Sequence, residues 1–381
     1  MATSSSVDST FSKAANSFAL DAYSKATENQ ECSFIFSPAS IHQAVTLASF
    51  GAAGDTKAEM LKGLKYPNGY SSDDVAKNCE ALTESVKKSN YLKIANKVYL
   101  MKDYTAKQTF NQIAQKSFAS ESQNLDFSQS AQSATTINKW VEDNTNNKIK
   151  DLISADSLDQ DTRMVLVNAI YFKGFWTYQF DPKNTFKGPF YLNEQDTVNV
   201  DYMKIKKHFK YGNIQDLDAT AIELPYKDSD ITMLIILPNS KTGLPALEAK
   251  LKNANFEDIT KNMYSQEVNV ELPKFKIETE LDLKDTLSAM GMKTMFTDNA
   301  DFSELLQSNE HLKVSKVIHK AFIEINEEGA EAAAATAVII ETESIFVPIE
   351  NFKFIANRQF FFVLLSNNQN LFCGRLQQFE P

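Results

Sequence analysis

Glu327-Glu328-Gly329-Ala330-Glu331-Ala332-Ala333-Ala334-Ala335-Thr336-Ala337-Val338-Ile339-Ile340-Glu341-Thr342-Glu343-Ser344 is the stretch on which the reading of this chain turns. With period two, one face carries Ala330, Ala332, Ala334, Thr336, Val338, Ile340 and Thr342, all small or apolar. The other carries Glu331, Ala333, Ala335, Ala337, Ile339, Glu341 and Glu343, with charge near both ends. That alternation suits a strand with one face bound for a core. The four-alanine run favours helix instead, and a glycine among acidic neighbours suits an exposed loop. Alanine-rich acidic stretches are usually solvated helices or linkers. Against that, Val338-Ile339-Ile340 and Thr342 are β-branched and poor choices for an exposed helix. A segment fit for both loop and central strand suggests a chain that passes from one to the other.

Outward from this stretch, recognisable blocks run from about Phe18 to the end. They begin with Phe36-Ser37-Pro38-Ala39-Ser40-Ile41 and Gly51-Ala52-Ala53-Gly54-Asp55-Thr56-Lys57-Ala58-Glu59-Met60. Asn138-Lys139-Trp140-Val141 with Thr145 follows, then Val167-Asn168-Ala169-Ile170-Tyr171-Phe172-Lys173-Gly174-Phe175-Trp176. Later come Glu223-Leu224-Pro225-Tyr226, Leu272-Pro273-Lys274-Phe275 and Val317-Ile318-His319-Lys320-Ala321. Phe354-Ile355-Ala356-Asn357-Arg358-Gln359-Phe360-Phe361-Phe362 and Leu371-Phe372-Cys373-Gly374-Arg375 close the series. In this order the blocks resemble the serpins, and in character the chain is most similar to inhibitory arthropod members. Gln359 departs from the family signature, where proline is usual, and the departure falls in a turn.

Composition agrees without naming a family. A chain of 381 residues can bury a large core, and its length allows one domain or two. Aromatics make up 11%, including 27 Phe, as in a folded protein. A net charge of -10 argues against general nucleic-acid affinity. Arg163, Arg358 and Arg375 are the only arginines, so bidentate phosphate reading is not widespread. Cys32, Cys79 and Cys373 are odd in number and widely spaced, which reads as three free thiols. No apolar run reaches the roughly 18 residues of a membrane span. Met1-Ala2-Thr3-Ser4-Ser5-Ser6 has no apolar core and does not read as a signal peptide. Asn-x-Ser/Thr is absent, which favours the cytosol mildly. A secreted chain whose signal has been removed would look the same.

Periodicity predicts a helical first third, over Thr10–Thr27, Ile41–Phe50, Thr56–Leu64, Ser72–Lys88, Ala106–Phe118 and Ala131–Asn144. Strands are predicted later, over Val165–Phe172, Thr220–Leu224, Ile231–Leu237, Glu267–Glu278 and Phe361–Leu365. Helices first and strands later indicate α+β packing. The signatures of ordinary enzymes are missing: there is no Gly-x-Ser-x-Gly, no HExxH and no phosphate loop. Histidines occur at His42, His208, His311 and His319 alone. Sequence order leaves a Ser/His/Asp site open, with His319 as the most plausible base, but it lies in an apolar strand pattern where a histidine is more often a satisfied core residue.

The resemblance implies more. It implies the serpin fold, a single domain over residues 1–381 with three β-sheets, about nine helices and an exposed reactive-centre loop at about residues 327–350. The implied activity is inhibition of a serine protease by a suicide-substrate mechanism, not catalysis. The protease cuts the loop, becomes covalently bound, and is trapped as the loop inserts into the main sheet. A non-inhibitory carrier or chaperone is the alternative. Glu327, Gly329, Ala330, Ala332, Ala333, Ala334, Ala335 and Thr336 are the implied hinge. The usual spacing from Gly329 puts the reactive bond at Glu343-Ser344. Ser37, Ser40, Asn168 and His319 align with the polar cluster beneath the main sheet, the shutter. No cofactor or metal is implied. Lys87, Lys88, Lys204, Lys206, Lys207 and Lys210 form two clusters that could hold a heparin-like sulfated polysaccharide, although solvated charged faces are the more common reading of such runs. The expected partner is the target protease, held by a monomer with no membrane or nucleic-acid contact. The expected compartment is extracellular, with the cytoplasm as the alternative.

Overall fold

The computed structural model describes residues 7–28, 30–88, 91–252, 254–308, 310–330 and 352–379. The chain opens with α1 (Ser9–Ala26), whose N-cap Asp8 accepts from the Phe11 N–H. After β1 (Phe34–Phe36) comes α2 (Pro38–Gly51), started by a Ser37 cap and Pro38 in its first turn. Nearly every residue of α2 is buried, the polar Ser40, His42, Gln43, Thr46 and Ser49 included, so the helix runs through the interior. Then follow α3 (Gly54–Gly63), α4 (Ser72–Lys88), β2 (Leu92–Met101), α5 (Gln108–Phe118), β3 (Ser122–Leu125) and α6 (Ser130–Asn144). The strand-rich part contains β4 (Met164–Phe172), β5 (Gly174–Phe175), β6 (Phe186–Tyr191), β7 (Thr197–Ile214), β8 (Ala219–Pro225) and β9 (Ile231–Pro238). After α7 (Leu244–Leu251) and α8 (Phe256–Lys261) come β10 (Tyr264–Pro273), β11 (Phe275–Asp282) and α9 (Lys284–Ala289). The chain closes with β12 (Val314–Ile325), β13 (Gly329–Ala330), β14 (Phe352–Ile355), β15 (Phe360–Ser366) and β16 (Gln369–Leu376).

Nine α-helices among the described residues and mixed sheets make this an α+β fold. Two expectations need correction. The first third is not wholly helical, because Leu92–Met101 is a strand paired along its length with β4. The stretch expected as one strand over Glu267–Glu278 is two. It breaks at Lys274, after Pro273, and β10 and β11 then join different sheets.

Hydrogen bonding gives a seven-stranded network, β3-β2-β4-β12-β13-β5 with β11 on β12, and a nine-stranded one. The larger network divides at β7. Tyr202–Tyr211 of that strand pairs with β10, whereas Lys210–Ile214 pairs with β8. One continuous strand thus serves two sheets, which brings the number of sheets to three. On one face of the seven-stranded sheet, Ile137 and Val141 of α6 pack into a core with Tyr99, Val165 and Val167. Near the C-terminus a side chain at Gly374 would collide with the Phe34 carbonyl oxygen across β1–β16, so only glycine fits there. Buried Arg375 donates from Nη1 to both carboxylate oxygens of Glu248 on α7, at 3.2 Å each.

Candidate functional site: the loop base and the seam beneath it

The parallel strands β4 and β12 pair directly from Met164↔Val314 to Tyr171↔Phe322. No strand lies between them along this seam. Above its end, β12 turns through Asn326–Glu328, and β13 comes back antiparallel to it, with Ala330 opposite Ile325. The far edge of β13 pairs with β5, the short continuation of β4, through Gly329↔Phe175 and Ala330↔Gly174. Two residues therefore already sit between the two arms of the sheet. A strand extending β13 would be antiparallel to both β4 and β12.

The turn is held by contacts distant in sequence. Asn326 Oδ1 accepts from the Glu328 and Gly329 N–H groups, at 3.0 and 3.2 Å. The indole Nε1–H of buried Trp176 donates to the Asn326 carbonyl at 3.0 Å. The backbone N–H groups of Trp176 and Phe180 donate to the carbonyls of Glu328 and Glu327. Glu327 is 8% exposed. Its carboxylate accepts from Thr185 Oγ1 at 2.7 Å and pairs with Lys274 Nζ at 2.9 Å. Burial pushes this carboxyl up, but the hydrogen bonds from Lys274 and Thr185 outweigh that and hold it below the usual range. Gly329 has φ +147, and a Cβ there would run into the Gly174 carbonyl and lie 2.7 Å from Phe175 Cα. Glycine is required at this corner.

Halfway down the seam the polar cluster is closed. Ser37, Ser40, Asn168 and His319 are each 0% exposed. Asn168 of β4 lies opposite His319 of β12 and, on its other side, opposite Asn96 of β2. His319 Nε2 accepts from the Ser37 backbone N–H at 3.1 Å, which fixes the ring as the neutral Nδ1–H tautomer. Nδ1–H then donates to Asn168 Oδ1. The same oxygen accepts from Ser40 Oγ at 2.9 Å, and Asn168 Nδ2 donates to Asn96 Oδ1. Ser37 Oγ donates to the Leu371 carbonyl at 2.6 Å. Burial holds His319 far below an ordinary histidine, at about 3. Its acceptor nitrogen is taken by a backbone N–H rather than a serine hydroxyl, so this is no nucleophile–base pair.

Sequence reasoning identified those four residues but not Asn96, which completes the row; its signal is a lone asparagine among the apolar residues of Leu92–Met101. The anchoring roles of Thr185, Lys274 and Trp176 were also missed, and no local pattern announces them. Of the hinge, Glu327, Gly329 and Ala330 are described. Ala332, Ala333, Ala334, Ala335 and Thr336 lie outside the described residues, as does the Glu343-Ser344 bond.

The lysine clusters do not make continuous basic faces. Lys204, Lys206 and Lys210 pair with Glu271, Glu267 and Glu223 at 3.0, 2.8 and 3.1 Å. Lys207 sits on the opposite face of β7. Lys87 pairs with Glu84, and the side chain of Lys88 lies outside the described residues. Among the described residues no group of three His, Cys, Asp or Glu could hold a metal ion. Gln359, where proline was expected, donates through its amide to the Leu192 carbonyl at 2.9 Å and the Gln377 carbonyl at 3.3 Å.

Comparison with known proteins bears on this architecture. A family model described as Serpin (serine protease inhibitor) matches residues 13–378. Antichymotrypsin-2 of Bombyx mori is 41% identical over 347 residues, 90% of this chain and 91% of that protein. Antitrypsin of Bombyx mori is 40% identical over 347 residues, 90% and 87% of the two chains. Among solved structures, cleaved Serpin 42Da is similar with a TM-score of 0.88 at 38% identity, covering 98% of this chain and 99% of that one. With the family match spanning nearly its whole length, this chain belongs to the serpins, the serine protease inhibitors.

Proposed function

We propose that this serpin is a suicide substrate that traps a serine protease by loop insertion at the β4–β12 seam. The observation that carries the reading is β13, anchored by Glu327 and cornered at Gly329, poised above a seam that is still closed. In the proposed reaction the protease serine attacks the Glu343 carbonyl, the Glu343–Ser344 bond breaks, and Ser344 leaves as a new amino terminus. An ester then joins the protease to Glu343. The fourteen residues Ala330–Glu343 would span roughly 46 Å as a strand. Their small side chains over Ala330–Ala335 keep the barrier to entry low, since an inward charge would stall it.

An acidic residue before the cut suits a protease tolerant of acidic or small side chains. An acidic primary pocket would repel Glu343. The names of the two silkworm relatives point to different proteases at nearly equal identity, so they do not choose between targets. No cofactor is required in this reading. A heparin-like accelerator would have to outcompete the carboxylates already paired with Lys204, Lys206 and Lys210. We further propose an extracellular monomer, with the cytoplasm as the other compartment.

Incubation with chymotrypsin-, elastase- and trypsin-like proteases tests the proposal. The expected result is an SDS-stable adduct and a released peptide beginning at Ser344 by mass spectrometry. Cleavage without an adduct overturns trapping in favour of a carrier or chaperone.

A further inference from the structure

Among the described residues Tyr178, Phe186 and Tyr264 are the large exposed apolar side chains, at 39%, 39% and 67%. Two of them belong to one strip. Tyr178 lies between Trp176 and Phe180, whose N–H groups hold the Glu328 and Glu327 carbonyls. It is therefore fixed at the foot from which the 331–351 segment departs. Its ring meets Phe209 of β7 edge-on, with centroids 5.7 Å apart. Two residues on, and on the same face, the Tyr211 ring lies 5.4 Å from Phe352. Phe352 opens β14 and is the foot to which the segment returns. Tyr264 faces Tyr211 directly across β7–β10. Tyr178, Tyr211, Tyr264 and Phe352 thus form an aromatic strip between the two feet, and Phe209, 4% exposed, lies buried beneath it as its support. Phe186 is elsewhere, stacked on Tyr202 on the other face of β7.

We propose that this strip is a second contact surface for the protease that attacks the loop. The proposal rests on the trapping reading and names where the body of the target sits. From Ser344 to Asn351 is eight residues, a tether of at most about 28 Å. A protease domain of about 230 residues has a radius of gyration of roughly 17 Å. A domain of that size on so short a tether extends well past either foot, far enough to reach the strip while its active site holds the loop. Tyrosine suits such a contact, offering a large rigid face with a hydroxyl for the partner's polar rim.

The experiment measures the association rate constant with whichever protease of the panel forms the adduct. Y178A combined with Y264A should lower it about tenfold, with the stoichiometry of inhibition unchanged. Phenylalanine at both positions, which keeps the rings, should leave it within about twofold. Tyr264→Ala alone is read if the double variant melts early, because so exposed a side chain carries little of the fold. A wild-type adduct with unchanged rates in the alanine variants overturns the strip and leaves trapping intact. No wild-type adduct removes both readings. A wild-type dimer by light scattering that Tyr264→Ala dissolves would assign the strip to a second copy and overturn the protease contact.

Discussion

Gly329 and His319 carry opposite kinds of constraint. At Gly329 the constraint is steric: its φ of +147 belongs to a region that side chains avoid, and β5 leaves no room for a Cβ. Gly329→Ala should destabilise the native protein by about 1–3 kcal/mol, read as a lower chaotrope midpoint at unchanged slope. At His319 the constraint is protonic. The ring must stay neutral to accept from Ser37, and burial keeps it so down to about 3. His42, also buried, is held down to about 4, again by burial. In the unfolded chain both would take up a proton near 6.5. The unfolded state therefore binds more protons below that pH. The stabilisation is complete above about 6.5 and falls as pH drops toward the folded values. At pH 5 each histidine should have withdrawn roughly 2 kcal/mol. Denaturation midpoints at pH 7.5 and pH 5 check this, and equal midpoints would contradict it.

Elements show where sequence was readable and where it was not. Helices with a clear apolar stripe were located closely: Ser72–Lys88 matches end to end, and Ala131–Asn144 differs from α6 by one residue. β2 was overlooked because Lys93 and Lys97 interrupt its pattern, and because the surrounding chain is helical. Lys97 is nonetheless buried, its ammonium 5.1 Å from the centroid of the Trp140 ring and paired with Glu121. That contact joins α6 to the sheet and has no local signal. Ser37, Ser40, Asn168 and His319 of the buried polar cluster could be found because each belongs to a recognisable block. Asn96, Thr185 and Lys274 depend on partners 72, 142 and 53 residues away, distances that no local pattern bridges. At this scale the test of insertion is Ala332→Arg. Ala330 is buried in β13, and in an inserted strand the period of two would put Ala332 on the same face. A guanidinium carried inward should stall entry, raising the stoichiometry of inhibition several-fold as cut, unbound inhibitor accumulates. An unchanged stoichiometry would count against strand insertion.

For the molecule as a whole, β4 and β12 of the seven-stranded sheet pair directly, and the proposed trapping would part them to admit one more strand. Every native contact described along β4–β12 would have to be exchanged for contacts with a newcomer. If the exchange is downhill, cutting the loop should raise the thermal midpoint by about 10 °C or more, the shift expected for several kcal/mol in a chain of this size. Calorimetry before and after nicking decides, and superimposable curves would leave insertion without a driving force.

Trp176 gives this protein its own optical reporter. The indole is 2% exposed, stacked on Tyr226 with centroids 4.4 Å apart, and bonded to the corner that β13 must leave or extend. The only other tryptophan, Trp140, lies on α6 over the same sheet. If loop insertion parts the sheet as proposed, emission from two indoles so placed should follow it in real time, with no dye attached and no residue replaced.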